Sequence, residues 1–287
     1  MRLIRFTHNG DIKLGAVVDD MALDLSAVDS NIGNDLVTLL ETPKGLAMLA
    51  DAAAYATADH RIPMADVTLE LPIAWPRRIF CLGLNYMEHV GESNFGKQDV
   101  PTVFMRTPTS LSAPDQPIIR PVISHQFDYE AELAVVIGKE IRNVDEKAAL
   151  DAIAGYSCFN DGTIRDFQHA TPQWTMGKNF DQTGSMGPWI VTADELPVGA
   201  DGLTIQTRLN GKVLQKSNTS KMIFKVAETI AFISQGITLL PGDVIATGTP
   251  EGVGRARDPQ VWMTEGDLVE IEIESIGTLG NKIVNEQ

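Results

Sequence analysis

Cysteine is scarce in this chain: Cys81 and Cys158 are the only two. Both lie in apolar, strand-like runs, IFCLGL and GYSCFND. They read as reduced core residues, not as a disulfide framework or a zinc site. Positive charge is also short. The 23 Lys and Arg against 38 Asp and Glu leave a net charge of -15, which argues against binding nucleic acid or an anionic membrane surface. No apolar run approaches the roughly 18 residues of a membrane span. The opening MRLIRFTHNGDIK carries Arg2 and Arg5 and lacks the apolar core of a secretory signal. The sequence shows no internal repeat, no low-complexity tract and no G-x-G-x-x-G fingerprint. The segment TGTPEGVG is glycine-rich, but without a Gly-Lys-Ser/Thr ending it reads as a tight turn at a site and not as a phosphate loop. The expectation is a cytoplasmic protein whose partner is a small molecule.

The chain contains 44% hydrophobic and 21% charged residues over 287 positions, enough for one large domain or two unequal ones. Pro72 and Pro76 bracket a plausible boundary, giving a small N-terminal α/β unit over 1–72 and a larger unit over 73–287. In the first unit, LIRF and GAVVDD flank the turn-like His8-Asn9-Gly10-Asp11, and DLVTLLETPKGLAMLADAAAYA reads as short helices broken near Pro43 and Gly45. In the second, LTIQTRLNGKVLQ alternates around an Asn210-Gly211 turn. DLVEIEIES alternates Val269, Ile271 and Ile273 with Glu270, Glu272 and Glu274, the pattern of a strand with one wet face. SKMIFKVAETIAFISQG places Met222, Ile223, Val226, Ile230 and Ile233 on one helical stripe that Gly236 can end. Many strands and few helices predict a mostly β fold with peripheral helices, an α+β barrel-like or sandwich core.

The most informative stretch is DYEAELAVVIG, residues 128–138. As a strand it puts Glu130 and Glu132 on one face, about 6.5–7 Å apart along the chain. Two like charges at the mouth of an apolar run repel each other and lose hydration, and a cation between them resolves the conflict. Asp161, at the end of AIAGYSCFN, is a candidate third ligand. Three carboxylates without His or Cys suit Mg²⁺, Mn²⁺ or Ca²⁺. Spacing alone favours a solvated strand edge, because E-x-E is a common pattern. His89 and Glu92 are i and i+3, so one helical turn puts them on one face. There Glu92 can hold one imidazole nitrogen while the other takes a proton, although a surface pair has the same spacing. Lys178 follows Trp174 and Met176, and partial burial would depress its pKa.

The ordered motifs CLGLNYMEH, DYEAELAVVIG, GYSCFNDGTIRDFQ, Trp174 to Lys178, GPW, LNGKVLQ, PGDVIATGTPEGVG, EGDLVEIEIESIG and LGN resemble the fumarylacetoacetate hydrolase family from residue 73 to the C-terminus. The resemblance implies a largely β core of mixed sheets, a homodimer, and a divalent metal, Mg²⁺ first, at Glu130, Glu132 and Asp161. It also implies action on a small anionic oxo acid. Residue by residue, Arg165, Gln168 and Thr249 match substrate-binding positions, with Arg106 as a further cation for the substrate. Lys178 matches the active-site lysine, and His89 with Glu92 matches a water-activating pair of the acylpyruvate hydrolase branch. Two positions depart from the pattern: Arg106 stands where many members have Lys, and Gly162 where many have a larger apolar residue. The implied activity is metal-dependent hydrolysis of the C–C bond of a 2,4-diketo acid, in aromatic or sugar catabolism. The alternative is a decarboxylase or isomerase of 2-oxo dicarboxylic acids, of the oxaloacetate or 2-hydroxyhepta-2,4-diene-1,7-dioate type. A binding protein that keeps only the fold fits less well, because metal, acid/base and anion-binding residues all persist.

Overall fold

The strand Ala131–Ile137 is buried at every position, and its two faces serve two different cores. Leu133, Val135 and Ile137 point into a cluster with Ile205, Ile271 and Ile273, while Ala134 and Val136 point into one with Leu14, Leu36 and Leu49. A strand covered on both faces must be apolar throughout, which is why AVVI does not alternate. The computed structural model describes residues 1–92 and 98–287.

Ala131–Ile137 lies in a large open sheet. Its order runs Arg61–Pro63, Met21–Asp24, Asp11–Val18, Arg2–His8, Gly184–Thr192, Ile153–Asn160, Ala131–Ile137, Val244–Ala246, Ile79–Gly83, Thr102–Arg106. A second sheet comprises Lys212–Asn218, Thr204–Leu209, Leu268–Ile273, Gly277–Asn285 and Ile118–Arg120. The two sheets share the first core cluster, so the α+β, sheet-rich architecture is the expected one, as facing sheets and not as a closed barrel. Asn210 and Gly211 take φ of 51° and 77°, and Leu209 pairs with Lys212 across them, the two-residue hairpin predicted.

The first 72 residues are not set apart from this sheet. Arg2 and Leu3 pair with Val191 and Ile190. The helices Leu36–Leu40 and Gly45–Tyr55 cover the face from which Ala134 and Val136 emerge. The helix predicted over 220–236 begins only at Val226. The Asn85 side chain accepts from Phe224 N at 2.7 Å and donates to Phe224 O at 3.0 Å, which holds the preceding segment out of the helix. Both cysteines are free and buried, and no helix among the described residues is long and apolar enough to cross a membrane.

Candidate metal and substrate site

Antiparallel pairing builds the site. Ala131 lies opposite Asn160 and Glu132 opposite Phe159. The residue after Asn160 therefore lands beside the residues flanking Ala131, and Asp161 N donates to Glu130 O at 3.0 Å. Glu130, Glu132 and Asp161 are all buried, and each places a carboxylate oxygen within 4.8 Å of the other two. The spacing that put both glutamates on one face thus leads to a cluster and not to a solvated edge.

The three acids are compensated unequally. Lys178 Nζ donates to Glu130 Oε2 at 2.7 Å and to Asp161 Oδ2 at 2.6 Å. Arg165 Nη2 lies 2.7 Å from Glu130 Oε1. Burial opposes ionisation of Glu130, but Lys178 and Arg165 outweigh it and bring the carboxyl down to about 2. Glu132 accepts one hydrogen bond, from Gly248 N at 2.8 Å, and has no cation in ion-pair contact among the described residues. Burial, then Asp161 and Glu130, push its carboxyl well above the usual range. Three buried oxygen donors, one lacking a counter-charge, fit a hard divalent cation. Lys178 differs from the sequence expectation. Burial does pull its ammonium down, but Asp161 and Glu130 more than offset this and hold it above its ordinary value.

A pocket opens from the triad. Its wall includes His89, Glu92, Arg165, Gln168, Lys178 and Thr249 with Glu130 and Glu132, eight of the ten residues singled out in the sequence, and Asp161 joins them as the third acid of the cluster. His89 and Glu92 lie on the helix Met87–Glu92, with Nδ1 3.4 Å from Glu92 Oε2. The distance is long for a hydrogen bond. Glu92 is held in turn by Gly252 N at 2.9 Å. Thr249 Oγ1 accepts from Gln215 Nε2 at 2.9 Å, which leaves its own proton to donate.

Arg106 is the tenth, and it stands behind the site without lining the pocket. Its Nε donates to Ser110 Oγ, Nη1 to Asp161 Oδ1 and Gly162 O, and Nη2 to Ser110 O and Thr183 Oγ1. All five guanidinium N–H groups are engaged. Its role here is to hold Asp161, in place of the substrate contact the sequence suggested.

Three wall residues, Trp174, His169 and Arg255, and Asp128, which does not line the pocket, make contacts to which the sequence reading assigned no role. Asp128 Oδ2 accepts from Arg165 Nε at 2.7 Å and from Arg255 N at 3.1 Å, while Oδ1 accepts from Gly254 N at 2.7 Å. One buried carboxylate thereby ties the helix Arg165–His169 to the TGTPEGVG turn. Its signal was available, since Asp128 continues the period-two row of Glu130 and Glu132. Trp174 packs edge-on against Phe104 with ring centroids 5.3 Å apart, and a Cβ on Gly83 would meet the Trp174 ring at 2.2 Å. His169 and Arg255 also line the pocket, and Arg255 Nη1 contacts His169 Nε2. No local pattern marks either residue.

Residues 78–284 match the family described as fumarylacetoacetate (FAA) hydrolase, C-terminal. The chain is 37% identical over 264 residues to human "Oxaloacetate tautomerase FAHD2B, mitochondrial", covering 91% of this chain and 83% of that one. Among solved structures, fumarylacetoacetate hydrolase from the psychrophile Exiguobacterium antarcticum is 33% identical with a TM-score of 0.87. Maleylpyruvate hydrolase from Sphingobium sp. SYK-6, in complex with manganese(II) and pyruvate, is 32% identical with a TM-score of 0.82. Both cover 100% of each chain. With its triad, its sheets and its ordered motifs, this chain belongs to the fumarylacetoacetate hydrolase family.

Proposed function

We propose that this protein is a divalent-metal-dependent enzyme that interconverts the keto and enol forms of a 2-oxo dicarboxylate of the oxaloacetate class. The observation that carries the reading is one pocket lined by both the carboxylate pair Glu130–Glu132, of which Glu132 lacks a counter-charge, and the His89–Glu92 pair. The tautomerase names of relatives such as the human protein support the same class.

Glu130, Glu132 and Asp161 would hold the ion, which when bound supplies Lewis-acid polarisation of the 2-oxo group. His89 takes the proton that leaves C3. The C3–H electron pair becomes the C2–C3 double bond, the C2–O π pair moves onto the 2-oxygen, and the proton held by the imidazole passes through water to that oxygen, which returns His89 to its neutral form. Glu92 fixes which imidazole nitrogen faces the substrate. Gln168 Oε1 accepts from Arg165 Nη1 at 2.9 Å, which leaves the Gln168 amide N–H groups to donate to a substrate carboxylate beside the Thr249 hydroxyl. Lys178 stays charged and orients Glu130 and Asp161.

C–C hydrolysis of a 2,4-diketo acid is the second reading, because the same His89–Glu92 pair can activate water, and it is supported by the likeness to maleylpyruvate hydrolase. Mg²⁺-loaded protein should accelerate the loss of enol absorbance from freshly dissolved enol-oxaloacetate and release little pyruvate from acetylpyruvate. The reverse result would select the hydrolase. We place the protein in the cytoplasm as a homodimer, in keeping with two buried thiols and the habit of the family. Light scattering should give twice the 31.2 kDa of one chain.

A further inference from the structure

The cations at the pocket differ in how they are neutralised. Arg165 is paired with Asp128 and Glu130, and Lys178 with Glu130 and Asp161. Arg255 lines the same pocket, half-buried, with no carboxylate in ion-pair contact among the described residues. Its backbone is fixed by Asp128 and by the turn that follows Gly254. One side-chain contact, Nη1 to His169 Nε2, orients the guanidinium, and Nε and Nη2 have no hydrogen-bond partner among the described residues. A guanidinium in a partly desolvated wall with two adjacent open N–H groups matches the two oxygens of a carboxylate. The chain carries a net charge of -15, so a lone cation facing the pocket is not generic surface charge.

We propose that Arg255, positioned by His169, receives the distal carboxylate of the substrate and restricts the enzyme to 2-oxo dicarboxylates. The assignment rests on the reading of the triad as the place of the 2-oxo acid end. His169 is a positioning residue: its neutral imidazole accepts from Nη1 and leaves the Nε–Nη2 edge for the ligand.

Matched ligands test it. Mg²⁺-loaded protein is titrated calorimetrically with oxaloacetate against 2-oxobutanoate, and with 2-oxoglutarate against 2-oxopentanoate. Each pair has one chain length and differs in the distal carboxylate. Oxalate, which has no distal group, reports on the metal end alone. In the unaltered protein the dicarboxylate of at least one pair should bind more tightly by roughly tenfold or more. Arg255→Gln should bring that ratio close to one while oxalate affinity is retained. Arg255→Lys, which keeps the charge but loses the fork, should give an intermediate ratio. His169→Ala should shrink the preference without abolishing it. A preference that survives in Arg255→Gln, or no preference in the unaltered protein, overturns the assignment. If the preference follows Arg255 but oxaloacetate is not tautomerised, the proposed reaction is wrong and the carboxylate assignment stands.

Discussion

Arg106 Nη1 donates to the carbonyl of Gly162 at 2.9 Å, and a Cβ placed on Gly162 would lie 1.9 Å from Thr183 O. The two positions at which the chain departs from its family's usual residues therefore meet in space. The guanidinium draws the 162 backbone and the Thr183 segment together, and only glycine leaves room for that approach. Arg106→Ala should destabilise the fold by about 3–5 kcal/mol, because Asp161 would lose a buried partner. Arg106→Lys should cost less, since it restores the charge but not the five-bond fork. Gly162→Ala should cost at least ~1–3 kcal/mol, as the obstructing atom is backbone. Urea unfolding curves measure all three.

Glu132 gives a prediction with two opposite signs. Its folded-state pKa is raised by burial and by Asp161 and Glu130. A raised carboxyl pKa means the unfolded chain releases a proton that the fold retains, so Glu132 weakens the metal-free fold above its unfolded pKa. At pH 7, Glu132→Gln should raise the melting temperature of metal-free protein, by about 2–4 °C for each kcal/mol relieved. The same variant should lose the further rise that Mg²⁺ or Mn²⁺ gives the unaltered protein, and with it the activity that EDTA removes. A variant that melts earlier than the parent without metal would contradict this account of the triad.

His89→Ala should lower proton transfer at the substrate by roughly 10²–10⁴, the range for loss of a general base. Metal affinity, read by calorimetry, should hardly change, because His89 is not a ligand in the proposed site. Glu92→Gln should act in the same direction and more weakly. It keeps a side chain that can bond to Gly252 N while removing the charge behind the imidazole.

His169 provides a pH test. Partial burial and then the Arg255 guanidinium lower its imidazole from the usual value to about 4. Between about 6.5 and 4 the unfolded chain binds a proton here that the native protein does not, so this contribution to stability is complete above the window and is lost as pH falls through it. Imidazole NMR of the ligand-free protein should show a neutral ring at pH 6. A ring that titrates near 6.5 would mean that the contact with Arg255 is not made in solution.

Much of this was legible along the chain. The period-two row of acids, the Asn210-Gly211 hairpin and the helical breaks near Pro43 depend on neighbours in sequence, and all are where the pattern put them. Asp161 could be named as a candidate from its place at the end of an apolar run, but no spacing rule reports that Ala131 pairs with Asn160, which is what brings it to the glutamates. The direction of the Lys178 shift failed for the same reason. Sequence shows the apolar neighbours that depress an amine, but not the two carboxylates that fold onto it. The late start of the helix at Val226 depends on Asn85, far away in sequence, whose amide competes for the backbone of Phe224.

The pairing of Arg2 and Leu3 with Val191 and Ile190 bears on how the chain could be shortened. A fragment cut at the Pro72–Pro76 boundary would keep every residue of the triad, yet leave the 190–192 end of the strand Gly184–Thr192 without its partner. The face of Ala134 and Val136 would also lose its helical cover. Such an edge is a template for other chains. The opening strands thus cover pairing groups and an apolar face that would otherwise be open, and a fragment without them should aggregate more readily than the whole chain.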